Sequence, residues 1–98
     1  MNQQRKHARI EYETNIDIIW KNHIVHGKTI NISQGGVLIA TDSRPEFGSK
    51  VTIKIDLPNV KDRCEILSIV RWQGDNQLGL QFEILRPIEV WAINKLFK

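Results

Sequence analysis

The chain has one cysteine among its 98 residues, so neither an intramolecular disulfide nor a cysteine-built zinc cage is open to it. That residue, Cys64, sits in an alternating apolar pattern and reads as a small buried hydrophobe, not a reactive thiol. Long apolar runs are missing too. None approaches the roughly 20 residues that cross a bilayer, and the start, Met1-Asn2-Gln3-Gln4-Arg5-Lys6, leads into no signal-peptide core. The expectation is a cytoplasmic protein without membrane insertion. Charge of one sign is scarce: a net +3 does not make the continuous basic face of a long nucleic-acid binder, and suits a partner with a few negative charges. The carboxylates Glu11, Asp17, Asp42 and Asp56 are scattered, with neither metal-cluster spacing nor a nucleophile beside a base, so no enzyme is expected. His23 and His26 are spaced as in some metal sites but lack a third ligand nearby; both read as surface residues, and no metal or cofactor is expected.

What is present is the composition of one soluble domain, 41% apolar and 26% charged, which excludes wholesale disorder. Residues 1–10 show no apolar periodicity and are assigned to a mobile N-terminal arm. From Thr14 the pattern is that of strands. Ile16, Ile18 and Trp20 alternate with Asn15, Asp17 and Ile19, Lys21-Asn22-His23 makes a turn, and Ile24 to Asn31 returns. Gly36 to Thr41 is a short buried strand, and residues 42–48 collect loop formers. Val51, Ile53, Ile55 and Leu57 then alternate with polar residues. The next run has Cys64, Ile66, Ser68 and Val70 on one face and Glu65, Leu67, Ile69 and Arg71 on the other. Being apolar on both faces near its middle, it is expected to be covered on both. Gly74-Asp75-Asn76 turns into a last strand, Gln77 to Ile84.

After Arg86 the period becomes helical. Pro87 suits the first helical position, and Ile88, Trp91, Ala92 and Leu96 fall on one stripe that predicts a packing face over about three turns. Lys95 and Lys98 lie near its negative end. Five or six short antiparallel strands with one C-terminal helix predict a small closed or nearly closed barrel over residues 11–85, with the helix in 86–98.

Two polar features are not needed by such a barrel. Asn31-Ile32-Ser33-Gln34-Gly35-Gly36 separates two β-branched runs, where a two-residue turn would suffice. In extended backbone Asn31 and Ser33 point the same way, and glycine admits a backbone or a ligand. The commonest explanation of such a stretch is an Asx or Ser turn with a left-handed glycine. Arg5 and Arg9, four apart, converge on one object in a helix or in an extended chain, and a solvated basic tail is the plain alternative.

Taken together, Arg5-x-x-x-Arg9 followed by Asn31-x-Ser33-x-x-Gly36 ahead of a barrel resembles the PilZ domain, a bacterial receptor for cyclic di-GMP. The resemblance matches every fixed position of the family's RxxxR and (D/N)xSxxG motifs and runs from about Arg5 through Phe97, including Leu78-Gly79-Leu80-Gln81-Phe82. It implies an all-β fold with one C-terminal helix, a six-stranded antiparallel barrel. It also implies a non-catalytic receptor whose arm folds over the barrel to relay the signal to a downstream protein.

By that pattern Arg5 and Arg9 hold phosphate and guanine edges, for which a guanidinium fork is suited in a way that lysine is not. Asn31 accepts from guanine N1 and N2, Ser33 offers a hydroxyl, and Gly36 admits close approach. Gln4, Lys6, Gly35 and Trp72 are additional candidates; Trp72 offers a stacking face and equally reads as an exposed packing residue. Ordering Arg5 to Arg9 costs on the order of 5 to 10 kcal/mol of backbone entropy. Four charge-assisted hydrogen bonds return roughly 6 to 12 kcal/mol, so the arm is expected to be mobile alone and ordered by ligand. In the family the residue before the first motif arginine bears on stoichiometry; uncharged Gln4 leaves fewer cations for a second dinucleotide, Lys6 could compensate, and the resemblance leans to one dinucleotide per chain while leaving the intercalated dimer open. Two other readings stay open: a PilZ-like interaction module that binds no nucleotide, and a small-barrel binder of single-stranded nucleic acid. The latter would want more exposed aromatics than Trp20, Trp72 and Tyr12.

Overall fold

The structure is a computed structural model and describes residues 8–42 and 45–97. Its strands are β1 (Ile10–Glu11), β2 (Asn15–Trp20), β3 (His23–Ile32), β4 (Gly36–Ala40), β5 (Lys50–Ile55), β6 (Cys64–Gly74) and β7 (Gln77–Ile84), followed by helix α1 (Pro87–Lys95). All pairings are antiparallel, in the order β3-β2-β5-β6-β7-β4, and β4 returns to β3. Six strands therefore close a barrel, as expected. The two-residue β1 adds to β3 beyond the end of β2, with Ile10 opposite Ile32 and Glu11 opposite Asn31. Ile10, inside the span assigned to the arm, packs on the core.

Strict alternation builds the lumen. Ile16 and Ile18 of β2, Val51, Ile53 and Ile55 of β5, and Cys64, Ile66 and Val70 of β6 are buried at 0–1% exposure, while their neighbours face outward. The β2–β3 hairpin turns on Lys21 and Asn22, both at positive φ (50° and 66°), the two-residue geometry whose twist matches paired strands. Cys64 is buried and its thiol is pushed up by desolvation, as suits an inert hydrophobe.

Helix α1 packs on the barrel core through Ala92 and Leu96 of the predicted stripe, but the buried face is rotated away from the stripe's other two residues. Its buried residues are Glu89, Ala92 and Ile93, with Leu96 and Phe97 packed partly against the core, whereas Ile88 and Trp91 are 44% and 45% exposed. The rotation has a polar cause. The Glu89 carboxylate accepts from the Arg86 backbone N–H at 2.8 Å and from Arg86 Nε at 2.9 Å, which draws residue 89 inward at the helix start. Pro87 holds the first position, as expected.

β6 runs on through Trp72 to Gly74, further than its alternation suggested. Nor is its outer face covered as expected: Leu67 is exposed. Both histidines of the predicted surface pair are exposed, His26 hydrogen-bonding Asp17.

Candidate functional site

One inserted residue sets up the site. Thr29 pairs with Ile39 and Asn31 with Leu38, so Ile30 has no partner of its own and forms a bulge in β3. Without it, Asn31 would share the inward face of Thr29. With it, Asn31 turns to the outer wall and Ile32 enters the core at 0% exposure. The extra residue re-aims one amide side chain and seats one isoleucine.

Asn31 then meets the arm. Arg9 NH1 donates to Asn31 Oδ1 at 3.0 Å, next to the pairing of Glu11 with Asn31 that fixes the chain's approach. Halves of two motifs 22 positions apart are thus joined on one patch of the outer wall. Gln4, Arg5 and Lys6 lie outside the described residues.

The following turn is braced from within. Ser33 N–H donates to the Gly36 carbonyl at 2.8 Å, and Ser33 Oγ accepts from the backbone N–H groups of Gly35 and Gly36, both at 3.1 Å. Ser33 is 4% exposed, so its hydroxyl is engaged in the turn and does not stand beside Asn31 on the open wall. This is the Ser turn of the plain reading, without its left-handed glycine: neither Gly35 nor Gly36 has positive φ. Gly36 is required for closeness instead. A Cβ there would lie 2.2 Å from the Leu80 carbonyl oxygen, so the close approach is that of β7 backbone. The Gly35 carbonyl accepts from Phe82 N–H at 2.9 Å and ties the other side of the turn to the same strand.

Gly36 pairs with Gln81, whose Oε1 accepts from Arg71 Nε at 2.9 Å. A further guanidinium thereby stands near the turn, on a residue whose sequence pattern marks only a strand face. Its signal is the register of β4, β7 and β6, which alternation within one strand does not disclose. Trp72 belongs to the same outer row as Asn31, through Leu38 and Gly79, but stands three strands away around the barrel. Its ring lies over Gly74, where a Cβ would come within 2.3 Å of Cη2, and its Cβ crowds Gly79. One face is packing and the side chain remains 49% exposed. The site therefore centres on Arg9, Asn31 and the 33–36 turn, with Arg71 and Gln81 adjoining.

Among the described residues, no group of three or more His, Cys, Asp or Glu side chains is placed to hold a metal ion, and no helix is long and apolar enough to cross a membrane. The candidate site presents guanidinium groups, an amide oxygen and a braced backbone turn, groups that can hydrogen-bond a ligand.

Comparison with known proteins agrees with this architecture. The PilZ domain family model matches residues 3–96. Among solved structures, the PilZ domain of CeSA from a cellulose-synthesizing bacterium superposes with a TM-score of 0.71 at 16% identity, covering 91% of this chain and 93% of that one. The Bacillus subtilis inhibitor of motility MotI/DgrA superposes with a TM-score of 0.79 at 19% identity, over 97% of this chain. This chain spans 50% of the MotI structure. No curated protein matches significantly. A family match over nearly the whole length, on a closed six-stranded barrel with a C-terminal helix, shows that the chain belongs to the PilZ domain family, whose members are in general non-catalytic receptors of cyclic di-GMP.

Proposed function

We propose that this chain is a receptor for cyclic di-GMP, built from a fixed half on the barrel and a movable half on the arm. The observation that carries the reading is the Arg9–Asn31 hydrogen bond, which brings the two motif halves together on an open wall. In the free protein Arg9 occupies the amide oxygen that guanine N1–H and N2–H groups would use. Ligand binding exchanges one partner for another: guanine takes Asn31 Oδ1, and the released guanidinium grips a phosphate or the O6/N7 edge in a bidentate fork.

Arg5 supplies the second fork, with Gln4 and Lys6 beside it. Ser33, Gly35 and Gly36 act by holding the turn so that Asn31 is presented in one geometry, and Arg71 contributes positive potential alongside. No step makes or breaks a covalent bond. The output is a changed surface: residues 5–8 close over the wall and offer a downstream protein a face the free form lacks. The uncharged Gln4 favours one dinucleotide per chain.

A nitrogen-15 NMR titration with cyclic di-GMP tests the reading. Expected are shifts of the Asn31 side-chain amide and of the Gly35, Gly36 and Gln81 backbone amides, with new exchange protection in residues 5–8. Shifts absent from these groups, in a protein whose spectrum is that of a folded barrel, would move the assignment to a PilZ-type interaction module.

A further inference from the structure

Strand β5 lies three strands from β4 in either direction around the closed ring, so the wall centred on β2 and β5 faces away from the 33–36 turn. Ile24, where this wall meets β3, is seven residues from Asn31, about 23 Å along the strand. Nothing in the receptor reading uses this wall, yet it is patterned.

Cross-strand pairs run Ile24 to Ile19, Ile19 to Thr52, Thr52 to Leu67 and Leu67 to Ile84. All five lie on outward-facing positions, and Ile24 and Ile84 are 61% and 67% exposed. An outward band of four large apolar side chains and a threonine thus crosses five strands, where single scattered apolar residues would need no explanation.

The outward row next to it is polar and ordered. His26 pairs with Asp17, Asp17 with Lys54 and Lys54 with Glu65. Within the chain, His26 Nδ1 meets Asp17 at 2.5 Å and Lys54 Nζ meets Glu65 at 3.6 Å. Arg63 neutralises one of its two carboxylate partners, Asp17 and Asp56, and leaves that corner one net negative charge. From β3 to β6 the row reads polar, negative, positive, negative. Reversed and laid against itself, it sets Asp17 against Lys54 twice and His26 against Glu65 twice. The same reversal sets Ile19 against Thr52 and Ile24 against Leu67. A two-fold axis between β2 and β5, along the strands, performs this operation, and it is the operation of an isologous dimer.

We propose that the β2–β5 wall is the interface of a two-fold dimer of this chain, apolar band on apolar band, with Asp17 and Lys54 of each protomer facing Lys54 and Asp17 of its partner. The charge pattern selects a second copy over an unrelated partner because it is complementary to its own reversal. A convex barrel wall brings few strands into contact, which places the interface below about 1,200 Å² and the association in the weak class. The wall leaves Arg9, Asn31 and the turn open, so the inference stands apart from nucleotide binding.

Sedimentation equilibrium without nucleotide, from micromolar to millimolar protein, tests it. The wild-type mass is expected to rise towards that of a dimer. The double substitution Lys54→Glu with Glu65→Lys keeps the intrachain pair and the net charge but sets like charges across the axis, and is expected to weaken dimerisation at least tenfold. Ile24→Asn, at an exposed strand start, is expected to weaken it as well. Circular dichroism checks that both variants are folded. A wild-type protein that stays monomeric, or a charge-exchanged variant that dimerises as the wild type does, overturns the proposal.

Discussion

Arg9 and Asn31 meet at 3.0 Å on the outer wall of the barrel, one arriving from the chain's start and the other turned outward by the bulge at Ile30. An exposed hydrogen bond of this kind contributes only about 0.5 to 1.5 kcal/mol to the fold. Asn31→Ala is therefore expected to lower the melting temperature by a few degrees at most. Its effect on cyclic di-GMP affinity, read by displacement of a fluorescent analogue, is expected to be at least tenfold, because a ligand donor loses its acceptor inside a formed site.

Ser33→Ala separates holding the turn from touching the ligand. The half-buried Gly35 N–H and the buried Gly36 N–H both donate to Ser33 Oγ, and leaving a buried donor unpaired costs about 1 to 3 kcal/mol. Urea denaturation should show that loss of stability. The weakening of nucleotide binding should follow the loosening of the turn, with exchange protection at Gly35 and Gly36 falling in the free protein too.

Gly36→Ala drives a methyl group to 2.2 Å from the Leu80 carbonyl, and backbone has to move. The expected cost is about 1 to 3 kcal/mol, with the β4–β7 pairing beside residue 36 loosened first. Hydrogen exchange of the Phe82 amide, which donates to Gly35, reports it.

Much of this architecture is legible in the residues. Alternation places β2, β5, β6 and β7, and Pro87 places the start of α1, because each signal is local and repeated. The errors fall where one specific contact, distant or local, overrides the apolar pattern. Ile30-Asn31-Ile32-Ser33 keeps an unbroken alternation, so the bulge that turns Asn31 outward leaves no local trace; only the pairing with β4 reveals it. The helix stripe assumed that apolar residues choose the buried face, whereas the Glu89–Arg86 contacts rotate a carboxylate inward. Of the site, the Arg and Asn positions come from spacing and family resemblance. The inward turn of Ser33 and the presence of Arg71 beside Gln81 come from three-dimensional register.

Acid should loosen the far wall first. Hydrogen bonds from His26 and then Arg63 hold the Asp17 carboxyl below the usual carboxylate range. A group whose folded pKa is depressed adds stability above its unfolded pKa, and that stability is lost as pH falls through the folded value. Stability measured by urea titration should thus drop as pH falls below the ordinary carboxylate pKa, and Asp17→Asn should flatten that limb while lying below the wild type at neutral pH. Equal acid limbs in the two proteins would show that Asp17 does not set the loss of stability in acid.

The proposed clamp of the arm and the turn is tested most directly by calorimetric titration of cyclic di-GMP into the wild-type protein and into Arg9→Ala. Expected are saturable heat with one dinucleotide per wild-type chain and at least a tenfold loss of affinity in a variant that melts within a few degrees of it. No heat from a folded wild-type protein, or an Arg9→Ala variant that binds equally well, would contradict it.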